Sequence, residues 1–124
     1  MARIIGLGGV FFKSKNPEFL AKWYQEHLGF KISDFCGSTF ETDKSIPYTV
    51  WGPFREDTSY FDPSRKEFMI NLVVDDVAGV LEKAEKGGAT IEGEIQKEAY
   101  GEFGWFIDPE GNKIELWNPE SRQD

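Results

Sequence analysis

Lys113-Ile114-Glu115-Leu116-Trp117-Asn118-Pro119, entered from the turn Asp108-Pro109-Glu110-Gly111-Asn112, is the stretch that decides the fold. Pro109 brings a fixed φ to that turn and Gly111 a permissive one. Beyond the turn the residues alternate, Ile114 and Leu116 to one side, Lys113, Glu115 and Trp117 to the other. Such alternation marks a strand with two differently occupied faces. A carboxylate beside an indole on a sheltered face suits a binding cavity. On an outer face the same pattern is a solvated strand, and the strand alone leaves both readings open.

The rest of the chain bears on the choice, because its two halves run in parallel. Val10-Phe11-Phe12 falls on Ile70-Asn71-Leu72 and the helix cap Asn16 on Asp76, at a constant offset of 60 residues. Leu20 and Tyr24 fall on Val80 and Ala84. Phe30-Lys31-Ile32 matches Ala89-Thr90-Ile91 with one residue deleted, and Thr49-Val50-Trp51-Gly52-Pro53 matches Glu115-Leu116-Trp117-Asn118-Pro119. The order βαβββ is therefore expected twice, over about 1–53 and 67–119. The aromatic-rich stretch 54–66 joins them as a loop that covers something apolar.

Within each half the local signals agree. Asn16-Pro17 starts a helix, with Asn16 as N-cap and Pro17 at the first helical position, and Gly29 closes it. Phe19, Leu20, Trp23, Tyr24, His27 and Leu28 recur at helical spacing. Residues 30–32 read as a strand, 35–46 as a second strand and a turn, and 47–53 as another strand, stopped by Gly52-Pro53. Phe68 to Val74 is a strand, and Asp75 or Asp76 caps a helix that faces inward through Val77, Val80, Leu81 and Ala84. Gly87-Gly88 ends that helix, and strands follow at 89–91 and from Tyr100 to Ile107. The expected fold class is α+β, two tandem βαβββ modules whose curved mixed sheets enclose a cleft, with the helices outside.

Parity assigns the faces. Val10, Phe12, Val50, Ile70, Leu72, Ile114 and Leu116 are expected under the helices. Gly9, Phe11, Lys13, Thr49, Trp51, Met69, Asn71, Glu115 and Trp117 are expected in the cleft, with Trp105 or Phe106 beside them. A cleft that is apolar, aromatic-walled and sparing in polar groups resembles small-molecule pockets.

Composition bounds the partners. A chain of 124 residues is expected to form one domain. Its formal net charge of −8 argues against nucleic acid, whose phosphates need a basic face. No apolar run approaches the roughly 20 residues of a membrane span, and no signal peptide is apparent, so a cytoplasmic protein is expected. The single cysteine, Cys36, forms no internal disulfide, and neither it nor the single histidine, His27, has local support as a catalytic pair.

The chain resembles the vicinal-oxygen-chelate superfamily of glyoxalase I, extradiol dioxygenases and bleomycin- and fosfomycin-resistance proteins. The resemblance rests on Gly-Gly-Val-Phe-Phe-Lys at 8–13, Trp-Tyr-x-x-x-Leu-Gly-Phe at 23–30, Val-Val-Asp-Asp-Val at 73–77 and Asp-Pro-Glu-Gly-Asn-Lys-Ile-Glu-Leu at 108–116. It implies four metal-ligand positions on the cleft face, which here are Gly9, Thr49, Met69 and Glu115. Gly9 has no side chain, Met69 is a soft thioether, Thr49 is a weak ligand, and only Glu115 fits. A divalent metal is therefore disfavoured and no cofactor is expected. What remains resembles the metal-free branch, which implies a homodimer binding drugs or planar molecules between subunits.

Three functions stay open at this point. The first is metal-independent binding of an aromatic or cationic small molecule by Phe11, Lys13, Thr49, Trp51, Met69, Asn71, Trp105, Glu115 and Trp117. The second is a lyase, isomerase or dioxygenase-like enzyme with Glu115 as its general base, with or without a metal. The third is a structural or regulatory module whose cleft is filled by its own Tyr60 or Phe61.

Overall fold

The computed structural model describes residues 2–41 and 48–119. Element order is β1 (Ile4–Ser14), α1 (Pro17–Leu28), β2 (Ser38–Glu41), β3 (Tyr48–Arg55), β4 (Phe68–Val74), α2 (Val77–Lys86), β5 (Thr90–Glu98), β6 (Gly101–Ile107) and β7 (Lys113–Asn118). The strands form one mixed seven-stranded sheet in the order β2-β3-β1-β4-β7-β6-β5. The two halves thus join within a single chain, through antiparallel β1 and β4.

That junction carries the symmetry of the repeat. Val10 lies opposite Ile70, Phe11 opposite Met69 and Gly9 opposite Asn71. With the 60-residue offset, this puts a pseudo-twofold axis beside the Val10–Ile70 pair. On either side of it β1 pairs in parallel with β3, and β4 in parallel with β7.

Both helices begin as the caps require. The Asn16 side chain accepts from Phe19 N at 3.1 Å, and that of Asp76 from Gly79 N at 3.0 Å, each meeting a donor that the first turn leaves unpaired. Asp76, rather than Asp75, is the second cap. Gly29 closes α1 at φ 74°, a left-handed conformation that suits glycine. α2 buries Val77, Val80 and Leu81 against Ile114 and Leu116 of β7. The turn into β7 winds round Asp108, whose carboxylate accepts from the backbone of Glu110 and Asn112 and from the Asn112 amide.

Four expectations change. Residues 30–32 are not a strand: the chain from 29 to 37 is irregular, so the first module lacks a counterpart of β5. A tight turn there puts Cys36 at φ 66°. Of the strand and turn expected over 35–46, residues 38–41 form the strand β2, and 42–47 lie outside the described residues. β3 does not stop at Gly52-Pro53 but runs on to Arg55, so the loop begins two residues later than 54. β2 begins at Ser38, which pairs with Trp51, and this leaves the last part of β3 as an edge, where proline is tolerated. Lastly, α1 packs over β3 and α2 over β5, β6 and β7, so neither covers the middle of the sheet. Val10 is therefore exposed rather than packed under a helix, as are Ile4, Leu7 and Phe68, and Phe19, Trp23 and His27 form an exposed stripe on α1.

Candidate functional site

The register of β3 against β1 puts its side chains on the opposite face from the one expected. Gly9 pairs with Val50, Val10 with Trp51 and Phe11 with Gly52. Residues opposite one another in a ladder share a face, so Val50, Gly52 and Phe54 point into the cleft. Trp51 lies under α1, against Tyr24 at 4.7 Å, Phe30 at 5.1 Å and Phe12 at 5.6 Å between ring centroids. Thr49 shares that face. The expectation that Thr49 and Trp51 line the cleft, and that Val50 packs under a helix, is thus corrected. Phe11 is to Gly52 as Asn71 is to Glu115, which makes Phe54, not Trp51, the counterpart of Trp117.

The second half keeps its expected parity. Lys113, Glu115 and Trp117 face the cleft while Ile114 and Leu116 enter the helix-side core. The strand is no solvated face, since every residue from Lys113 to Trp117 is buried.

Glu115 sits at the centre, 3 % exposed. Its Oε1 accepts from Asn71 Nδ2 at 2.6 Å, and its Oε2 from Trp105 Nε1 at 3.0 Å and from the Tyr60 hydroxyl at 2.5 Å. Burial pushes its carboxyl up from the usual carboxylate range, and the three hydrogen bonds and the nearby Lys113 charge oppose that rise without reversing it. Burial, and then the charge of Glu115, push the Tyr60 phenol up as well. The Asn71 Oδ1 is buried and has no hydrogen-bond partner among the described residues. It lies against Gly8, where a Cβ would come within 1.9 Å of it.

Tyr60 comes from the loop between the halves. Its neighbour Phe61 is 0 % exposed and packs with Phe11, Met69 and Trp105. Lys113 Nζ donates to the Tyr60 carbonyl at 2.7 Å, and Lys13 Nζ stands 5.9 Å from the Phe61 ring. Lys113 through this bond and Met69 under Phe61 therefore hold the loop down, with Lys13 beside the same ring.

Beside this plug an open cavity of about 680 Å³ remains, within the roughly 300–1,000 Å³ typical of ligand pockets. Phe11, Asn71, Glu115 and Trp117 line it as the sequence suggests, while Trp105 stands behind as a donor to Glu115. The sequence reading missed Val50, Phe54, Phe103, Tyr100, Phe35 and Thr39. A correct β3 register would have supplied Val50 and Phe54. Phe103 stacks nearly parallel to Trp117 (6.1 Å, 6°) and to Trp105 (6.5 Å, 16°), giving the cavity an aromatic wall.

The residues do not fit the superfamily's metal. Gly9 offers no donor atom, Thr49 is on the other face and Gly52, which the ladder puts in its place, has no side chain, Met69 is packed against Phe61, and Glu115 already accepts three hydrogen bonds. Among the described residues no cluster of three or more His, Cys, Asp or Glu forms a metal site. No helix among them is long and apolar enough to cross a membrane.

Several solved structures share the fold. Methylmalonyl-CoA epimerase from Mycobacterium tuberculosis superposes with a TM-score of 0.63 at 18% identity, over 94% of this chain and 89% of its own. The Streptomyces coelicolor methylmalonyl-CoA epimerase with 2-nitronate-propionyl-CoA reaches 0.69 at 12% identity, over 94% and 98%. A glyoxalase/bleomycin resistance protein/dioxygenase superfamily member from Vibrio splendidus 12B01 gives 0.54 at 12%, over 95% and 99%. Among proteins of curated function, none matches this sequence. The glyoxalase-like domain family matches residues 9–117. The chain belongs to the glyoxalase-like domain family.

Proposed function

We propose that the protein binds a small flat aromatic molecule in the cleft, without a metal. The observation that carries this reading is the cavity itself, large enough for such a ligand and walled by the parallel rings of Phe103 and Trp117. The donor set supports metal independence: one carboxylate, already engaged, among apolar and aromatic neighbours. That engagement favours neutral aromatics over cations, because a cation would have to compete with three donors for Glu115. The test is quenching of tryptophan fluorescence by a panel of flat ligands. Trp117→Ala is expected to weaken binding several-fold, since an aromatic contact contributes about 0.5–1.5 kcal/mol beyond area burial. Wild-type fluorescence unmoved by the whole panel would count against the reading.

One observation favours an enzyme instead. A buried carboxyl with a raised pKa at the edge of a cavity is the usual form of a general base or acid. In that reading Glu115→Gln abolishes turnover and leaves ligand affinity nearly intact. The third reading has less support, since Tyr60 and Phe61 fill only one end of the cleft and a cavity remains at the other.

The proposal includes pairing of two copies. What supports it is the uncharged middle of the sheet, where Ile4, Leu7, Val10 and Phe68 are exposed on a chain of net charge −8. Elsewhere, two copies of so acidic a chain would tend to repel each other.

A further inference from the structure

The end of the cleft under the loop is already occupied, and by a phenol. The Tyr60 ring stacks on Phe54 (5.5 Å, 20°) and meets Trp105 edge-on (6.2 Å, 88°). Lys113 Nζ stands 5.4 Å from its centroid, and its hydroxyl donates to Glu115 at 2.5 Å. A stacking face, a perpendicular edge, a cation over the ring and a buried carboxyl oxygen to accept from the O–H make a full recognition set for a hydroxylated arene.

Two further observations separate that set from ordinary core packing. Tyr60 keeps 40% of its surface exposed while its neighbour Phe61 keeps none. The loop is therefore anchored by Phe61 and by Lys113 on the backbone, and the phenol is its least buried aromatic. In addition, Phe54 and Glu115 both border the open cavity. A ligand in the cavity meets the same ring and the same carboxylate that hold Tyr60.

We infer that this end of the cleft is a subsite for small phenols, closed in cis by Tyr60, and that a phenolic ligand competes with the Tyr60 hydroxyl for Glu115. The inference rests on the reading of the cleft as a ligand site and names the class of ligand. Exchange needs only the Tyr60 side chain to swing outward, with one O–H donor replacing another on Oε2.

Calorimetric titration with p-cresol, which is the free tyrosine side chain, and with toluene, which lacks the hydroxyl, tests it. Tyr60→Ala is expected to bind p-cresol at least ten-fold more tightly than wild type does and ten-fold more tightly than it binds toluene. The preference over toluene disappears in Tyr60→Ala/Glu115→Gln. Tyr60→Phe, which keeps the ring and so the packing, binds p-cresol more tightly than wild type because the competing hydroxyl is gone. Equal binding of the two probes by Tyr60→Ala overturns the subsite, as does equal p-cresol affinity in wild type, Tyr60→Ala and Tyr60→Phe. If wild-type fluorescence still responds to hydroxyl-free flat aromatics in either case, the cleft reading survives. Failure of every probe with every protein overturns both.

Discussion

Glu115 governs how stability responds to pH. A carboxyl whose folded-state pKa is raised contributes stability that is fully present below its ordinary value of 4.5 and lost as pH rises through the raised value. Wild-type protein is therefore expected to lose melting temperature as pH climbs above that value. Glu115→Gln, which carries no charge, lacks this component, so the difference between the two melting curves narrows toward acid and widens toward neutral pH. Parallel curves would show that Glu115 keeps its ordinary pKa. The backbone against its partner Asn71 is constrained as well. Gly8→Ala puts a methyl 1.9 Å from Asn71 Oδ1, so Asn71 must move and Glu115 loses its shortest amide donor. Urea denaturation is expected to show a loss of about 1–3 kcal/mol, and an unchanged midpoint would mean that Asn71 has room to turn.

At the scale of elements, α2 rests on β6 through a glycine. A Cβ at Gly104 would lie 2.8 Å from Val77 Cγ1 and 3.0 Å from Leu81 Cδ1, so Gly104→Ala lifts the helix and costs about 1–3 kcal/mol in urea. Gly111→Ala meets open space and carries only the strain of φ 85°. What was legible in the sequence follows the same physics. The offset of 60 could be read because N-caps are fixed by local hydrogen bonds, and Asn16 and Asp76 mark the same point in both halves. β7 could be read because a two-residue period needs no partner to define it. β3 could not. Its register depends on β1 beside it, and the matched Trp-x-Pro elements pointed to an alignment three residues from the one the ladder sets. Three is odd, so the error reversed a face, misplacing Thr49 and Trp51 and hiding Val50 and Phe54. Residues 30–32 failed for another reason: Phe30 packs its ring against Tyr24 and Trp51, which an apolar residue does as readily from irregular backbone as from a strand, and the pattern does not tell the two apart.

Across the whole molecule, the open middle of the sheet predicts self-association. Leu7→Glu or Val10→Glu adds a charge to each copy's apolar face, and light scattering is expected to show a shift toward monomer with melting of the monomer little changed. Wild-type protein that is monomeric at all concentrations would dispose of the pairing. The pseudo-twofold axis has a different consequence. Of the two halves it relates, the first gives the cleft Phe11, Val50 and Phe54, while the second gives Asn71 and Glu115. Two identical halves would have held a guest equally well either way round. These two do not, so the cleft has a head and a tail, and a molecule with a hydroxyl at each end should gain nothing from the second beyond doubled odds of arriving the right way.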